Sequence, residues 1–309
     1  MYLCGRGSKA DRTTGNISIN TDGAIKHMIY ESIDLYEHFH LTRPKNGKGY
    51  LKCMTLSRVD RTRENRRYPA VLVIPGGAYR HVSNREAEPV ALGYMSRGFS
   101  TFILDYSCAP HCWPVAFREA ALAMLYIREN AAKYAIDPDM VAALGFSAGG
   151  HLCGCLAALT GESVLDDLKK DSKYSPKPNA VILSYPVITN GDGAHRESLA
   201  NVSGGDRRLA KKLSLEERID KHSVPAFIWH TRNDKLVPVV NSLLLAAAYE
   251  RAGVDFSLHI FENGTHGLSV ANSMVYNSHE VPAHSTDLPK WLDMSVNWLR
   301  DRGIQIKDD

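Results

Sequence analysis

The 309-residue sequence has no unbroken apolar run of about 18 residues, which excludes a helix long enough to span a bilayer. Cysteine is scarce, six in all, and no His or Cys cluster has the spacing of a zinc site. Cys153 and Cys155 fall two apart on a helix, where side chains diverge, and read as small buried thiols rather than a disulfide. Cys108 and Cys112 flank a proline-containing loop and could approach one another. This usage fits a reducing cytoplasm. An excess of charge is also missing: a net +3 is too small to argue for nucleic acid or a membrane surface as partner. The local run Arg61, Arg63, Arg66 and Arg67 is broken by Asp60 and Glu64 and reads as a solvated loop. Met1 to Thr21 lacks the apolar core of a secretory signal, and residues 1–24 read as a flexible arm. No internal repeat or low-complexity linker occurs, so residues 25–309 read as a single domain.

What is present is an ordinary globular composition, 44% apolar and 23% charged, organised around one stretch. Val141-Ala142-Ala143-Leu144 reads as a buried strand, and Gly145-Phe146-Ser147-Ala148-Gly149 follows as a Gly-x-Ser-x-Gly turn. Residues 151–159, rich in Ala, Leu and Cys, read as a helix. Strand before and helix after is the setting in which this motif forms a nucleophile elbow. The small residues around Ser147 permit the tight turn, and the helix beyond presents its positive end to the serine.

On either side of the elbow the order is regular. Gly49 to Val59 predicts edge strands, and Ala70 to Ile74 a strand covered on both faces. Residues 85–97 predict a helix, 100–105 a strand, and 114–134 a helix opened by Pro114. Strands follow at 180–184, 226–230 and 256–261, with helices at 239–252 and 288–302. Lys26 to Leu41 fits either a helix or a strand. Strands alternating with helices, each strand a solid apolar run, predict an α/β fold: a mostly parallel central sheet with helices on both faces. A short polar insert occupies about 190–223.

In such sheets functional groups collect at the carboxyl ends of the strands. After the 70–74 strand comes Pro75-Gly76-Gly77-Ala78-Tyr79, whose backbone can approach a ligand closely. The N–H groups of Gly77, Ala78 and Ala148 are the candidate oxyanion hole. Asp234 follows one strand and precedes a helix opened by Pro238; alone it would read as a helix cap. His266, one of 13 histidines, stands on a glycine-containing loop after the last strand. The order Ser147, Asp234, His266, each past a separate strand, matches the α/β-hydrolase scheme.

The sequence resembles α/β-hydrolase-fold serine esterases, and among them the acetyl esterase and acetyl xylan esterase-like group. The resemblance is carried by Ile-Pro-Gly-Gly-Ala-Tyr at 74–79, Arg-Glu-Ala-Glu-Pro-Val-Ala at 85–91 and Leu-Asp-Tyr-Ser at 104–107. It continues through Gly-Phe-Ser-Ala-Gly-Gly-His at 145–151, Ser-Tyr-Pro-Val-Ile-Thr at 184–189, and the segments at 229–238 and 259–267. Pro75 departs from it, since many related esterases place a histidine before the glycines. The resemblance implies an α/β-hydrolase fold with a short polar cap insert, a Ser147–His266–Asp234 triad, and hydrolysis of short acyl esters. O-acetyl groups on xylo-oligosaccharides or related sugars are the implied substrates, with no cofactor and no metal. Tyr79, His81, Trp113 and His195 are candidate substrate-binding residues, with Trp113 readable equally as core. His151 reads as a packed helix residue. Two other readings of the same scaffold are a serine peptidase of the prolyl oligopeptidase kind and an inactive hydrolase-fold binding protein. The first usually carries a large additional β-domain, for which the residues before Pro75 leave no room. The second usually lacks a triad member.

Overall fold

The computed structural model describes residues 28–56, 65–170, 172–276 and 284–307. The expected arm at 1–24 and the arginines at 61 and 63 lie outside them. In chain order the elements are β1 (Ile29–Asp34), α1 (Leu35–His38), β2 (Tyr50–Thr55), β3 (Tyr68–Ile74), α2 (Glu88–Met95) and β4 (Ser100–Asp105). Next come α3 (Val115–Glu129), β5 (Ile136–Phe146), α4 (Ser147–Ala158), α5 (Asp166–Lys170) and β6 (Val181–Ser184). The remainder is α6 (Arg196–Ser203), α7 (Arg207–Lys212), β7 (Ala226–Thr231), α8 (Val240–Ala252), β8 (Phe256–Phe261) and α9 (Trp291–Arg300).

The strands form one sheet in the order β1-β2-β4-β3-β5-β6-β7-β8. From β4 through β8 every pairing is parallel, whereas β1 and β2 are antiparallel. Side chains along β3 show why the strand is apolar throughout. Ala70, Leu72 and Ile74 point into one core with Phe117 and Leu125 of α3, Leu152 of α4 and Tyr249 of α8. Val71 and Val73 point into the opposite core with Val90 and Tyr94 of α2 and Trp291 and Leu299 of α9. Alternation along a pleated strand requires both sets to be hydrophobic when both faces are covered. Trp229 of β7 stacks on Trp291 of α9 at 5.1 Å between centroids, which fixes the last helix to the sheet.

Several boundaries differ from the sequence reading. The ambiguous segment 26–41 contains both a strand, β1, and the short α1. The helix expected over 85–97 begins as a 3-10 turn at Asn84–Glu86 before α2. Helix α3 ends at Glu129, because the chain turns there to enter β5, which starts at Ile136 rather than Val141. The helix after the elbow starts at Ser147 itself. The insert at 190–223 carries α6 and α7. A small third cluster of Val187, Leu199, Ala210 and Val237 seats these helices beyond the ends of β6 and β7. Cys108, Cys112, Cys153 and Cys155 are all free thiols.

Candidate active site

Ser147 is held at φ +52, in the left-handed region that side chains other than glycine rarely adopt. The strain persists because neighbouring backbone leaves no alternative. A Cβ on Gly145 would lie 2.2 Å from Gly149 O, and one on Gly149 would lie 2.2 Å from Ile74 O. Only glycine allows β5, α4 and the end of β3 to approach so closely. The serine is 7% exposed and lies at the first position of α4.

His266 Nε2 is 2.8 Å from Ser147 Oγ, and His266 Nδ1 is 2.6 Å from Asp234 Oδ2. A carboxylate can only accept, so Nδ1 carries the proton and Nε2 is left to accept from the serine hydroxyl. Asp234 Oδ1 accepts the N–H groups of Leu236 and Val237 at 2.9 and 3.0 Å, so the cap reading and the relay use different oxygens. His230, fully buried, brings Nε2 to 3.4 Å from Asp234 Oδ2. Burial pushes the Asp234 carboxyl up, but the His230 and His266 rings more than reverse this and hold it well below the ordinary carboxylate range.

Facing the serine is the loop after β3. Gly77 and Ala78 have φ of +122 and +57, and neither N–H is bonded to another described group. The Tyr106 hydroxyl donates to Pro75 O at 2.8 Å, so this position contributes its carbonyl where related esterases place a histidine. Gly77, Ala78, Ser147 and His266 all line one cleft of about 360 Å³, whose rim carries Arg80, His81, Arg85, His195, Glu197 and Leu236. Across this rim Arg80 pairs with Glu197 of α6 at 3.0 Å, and Asn201 Nδ2 donates to Ala78 O at 2.8 Å.

Of the four expected substrate-binding side chains, His81 and His195 line the cleft. Burial pushes the His195 ring down, and the nearby His266 adds to this; its Nδ1 lies 2.8 Å from Ser198 Oγ at the start of α6. Tyr79 and Trp113 do not line it. Tyr79 is 2% exposed because its chain turns inward at φ +54, and its hydroxyl lies 2.8 Å from His151 Nδ1. Trp113 stacks on Phe117 at 4.7 Å, which turns it toward α3 instead. His151 is a buried helix residue whose Nε2 reaches Leu213 O at 2.9 Å. Residue-by-residue reading assigned no role to His230, Glu86 or Tyr185, although each falls inside a segment that carries the family resemblance. Among the described residues no cluster of three His, Cys, Asp or Glu side chains could hold a metal ion, and no helix is long and apolar enough to cross a membrane.

The mostly parallel sheet, the elbow serine and the chain order Ser147, Asp234, His266 define the α/β-hydrolase class. Within that class the BD-FAE family profile matches residues 59–249, and the chain belongs to this family. It is 38% identical over 216 residues to endo-1,4-beta-xylanase B of Butyrivibrio fibrisolvens, covering 67% of this chain and 33% of that protein. It is 28% identical over 262 residues to an acetylxylan esterase of Xylanibacter ruminicola, covering 82% of this chain and 50% of that one. The chain thus spans half or less of these curated relatives. Among solved structures, the acetyl ester-xyloside bifunctional hydrolase of Caldicellulosiruptor lactoaceticus superposes with a TM-score of 0.75 at 32% identity. That match covers 92% of this chain and all of that one.

Proposed function

We propose that the protein is a serine carboxylesterase for short acyl esters, acting on O-acetyl groups of xylo-oligosaccharides or related sugars. The observation that carries this reading is the unbroken chain of hydrogen bonds from Ser147 through His266 to Asp234, opening into a cleft lined by free backbone donors. His266 removes the hydroxyl proton as Ser147 attacks the ester carbonyl. Asp234 keeps the imidazole in the working tautomer and stabilises the imidazolium. Gly77 and Ala78, with Ala148 at the start of α4, receive the developing oxyanion; each such donor contributes about 2.7–4 kcal/mol to the transition state. The protonated imidazole then releases the alcohol, and water activated by the same ring hydrolyses the acyl-enzyme. The acetylxylan esterase and acetyl ester-xyloside hydrolase among the similar proteins support the acetyl and xylo-oligosaccharide assignment. Residues 25–309 act in this reading as one hydrolase domain with its insert at 190–223.

The test pairs Ser147→Ala with a chain-length series of 4-nitrophenyl esters and acetate release from acetylated xylan. The variant is expected to fold and to lose at least about 10³-fold in kcat, and the wild type to slow from acetyl to octanoyl. A Ser147→Ala protein with near-wild-type rate would overturn the mechanism, and efficiency rising with acyl length would overturn the substrate class.

A further inference from the structure

The segment Arg85–Ala91 carries part of the family resemblance yet contributes nothing to the relay. Its Glu86 is 4% exposed and pairs with no Lys or Arg among the described residues. An isolated buried carboxylate is expensive, so its retention calls for specific partners. Glu86 Oε2 accepts the Gly76 N–H at 2.8 Å, and Oε1 accepts the Tyr185 hydroxyl at 2.7 Å. Both acceptors are thus used on different parts of the site.

Gly76 is the first glycine of the loop that offers Gly77 and Ala78. A Cβ added to it would lie 2.9 Å from both Glu86 Oε2 and Ser147 Cβ, so the Gly76 peptide is clamped between the carboxylate and the nucleophile. Tyr185 lies directly after β6 at φ +36. Its oxygen accepts the Ser269 N–H at 2.9 Å, and its ring meets His266 edge-on at 4.9 Å between centroids. Ser269, at φ +54, closes the circuit by donating its hydroxyl to Arg85 O at 2.6 Å. One carboxylate therefore joins the backbone of the oxyanion loop to the loop that carries the imidazole.

We propose that Glu86 is the positioning residue of this site: it fixes the Gly76 peptide, and so the aim of the Gly77 and Ala78 N–H groups, and through Tyr185 it fixes the plane of the His266 ring. The inference rests on the esterase reading above. It assigns a purpose to strained backbone at Tyr185 and Ser269, which makes no contact with the Ser147–His266–Asp234 hydrogen bonds themselves.

The experiment compares Glu86→Gln, Tyr185→Phe and the double variant on 4-nitrophenyl acetate. It also measures inhibition by a trifluoromethyl ketone, which mimics the tetrahedral adduct. Glutamine keeps the volume but replaces one acceptor oxygen with an NH2 donor, so with its oxygen on the Gly76 N–H it can no longer accept the Tyr185 hydroxyl. Misplacement by about 1 Å is expected to lower kcat on the order of 10²-fold with KM within about twofold. The ketone should weaken in step with kcat, and the double variant should fall no further than Glu86→Gln, as groups acting as one unit do. Folded variants with wild-type kcat, a loss confined to KM, additive losses, or unchanged ketone affinity would each overturn the proposal. If Glu86→Gln does not fold, Tyr185→Phe, which keeps the ring packing, decides by the same criteria. Loss of activity in Ser147→Ala together with wild-type behaviour here would sink this inference and leave the esterase reading intact.

Discussion

Asp234 and His266 share a 2.6 Å contact from Oδ2 to Nδ1, and the other aspartate oxygen accepts two backbone N–H groups of its own turn. The turn therefore aims the carboxylate before the histidine arrives. Asp234→Asn keeps the shape but turns an amide N–H toward Nδ1, which favours the tautomer protonated on Nε2. That ring cannot accept the Ser147 proton, and kcat is expected to fall by about 10³–10⁴-fold with little change in KM. Steady-state kinetics on 4-nitrophenyl acetate checks this; a loss expressed in KM alone would contradict it.

Two glycines separate space from composition. A methyl group placed on Gly149 would meet Ile74 O at 2.2 Å and Pro75 O at 2.3 Å, both backbone atoms that cannot step aside. Gly149→Ala is expected to cost about 3 kcal/mol or more, since it overpacks against main chain. Gly161 has nothing within 4 Å of the same position, so Gly161→Ala should be neutral or stabilise by up to about 1 kcal/mol. Urea denaturation of the two variants gives the comparison directly.

Tyr79→Phe separates an interior role for this side chain from a place in the cleft wall. Its hydroxyl meets His151 in the interior rather than a substrate. The variant should lose about 1–3 kcal/mol of stability, the usual cost of leaving a buried acceptor unpaired, and keep the acyl-chain preference of the wild type. A changed chain-length profile with unchanged melting temperature would return Tyr79 to the cleft wall.

The pH dependence of stability has a specific source in His151. Burial pushes this imidazole from 6.5 down to about 4, so the folded chain resists protonation that the unfolded chain accepts. A depressed histidine contributes stability above its unfolded value that is lost as pH falls. The loss is therefore expected between about pH 6.5 and 4, reaching about 3 kcal/mol. Asp234, held below its ordinary range, releases its own contribution only at lower pH. His151→Gln should shrink the loss in the first window, to which the lowered His195 also contributes, and leave the second, as read by urea midpoints across pH.

Much of the sheet was legible because strands such as Val71–Ile74 and Val181–Ser184 must be apolar on both faces, and runs so short are too brief for a buried helix. The order of Ser147, Asp234 and His266 was legible because each stands just past a strand. The start of β5 was hidden by Asp137 and Asp139, whose charge masks a strand that is only partly covered there. Helices α6 and α7 were hidden in a polar segment, since Leu199 and Ala210 are their only members of the small cluster that seats them. Glu86 could not be read at all as a buried group. Its partners, Gly76 and Tyr185, come from segments that only the fold brings together, and a glutamate beside an arginine looks solvated in one dimension.

The serine and its imidazole stand 119 positions apart along the chain, and β6, β7 and β8 must each dock in parallel register between the synthesis of one and the use of the other. Pairings of that separation close slowly, because chain entropy is lost before any contact rewards it. A denatured sample returned to native conditions should regain its helical signal first and its turnover last, when the final strand settles at the border of the sheet.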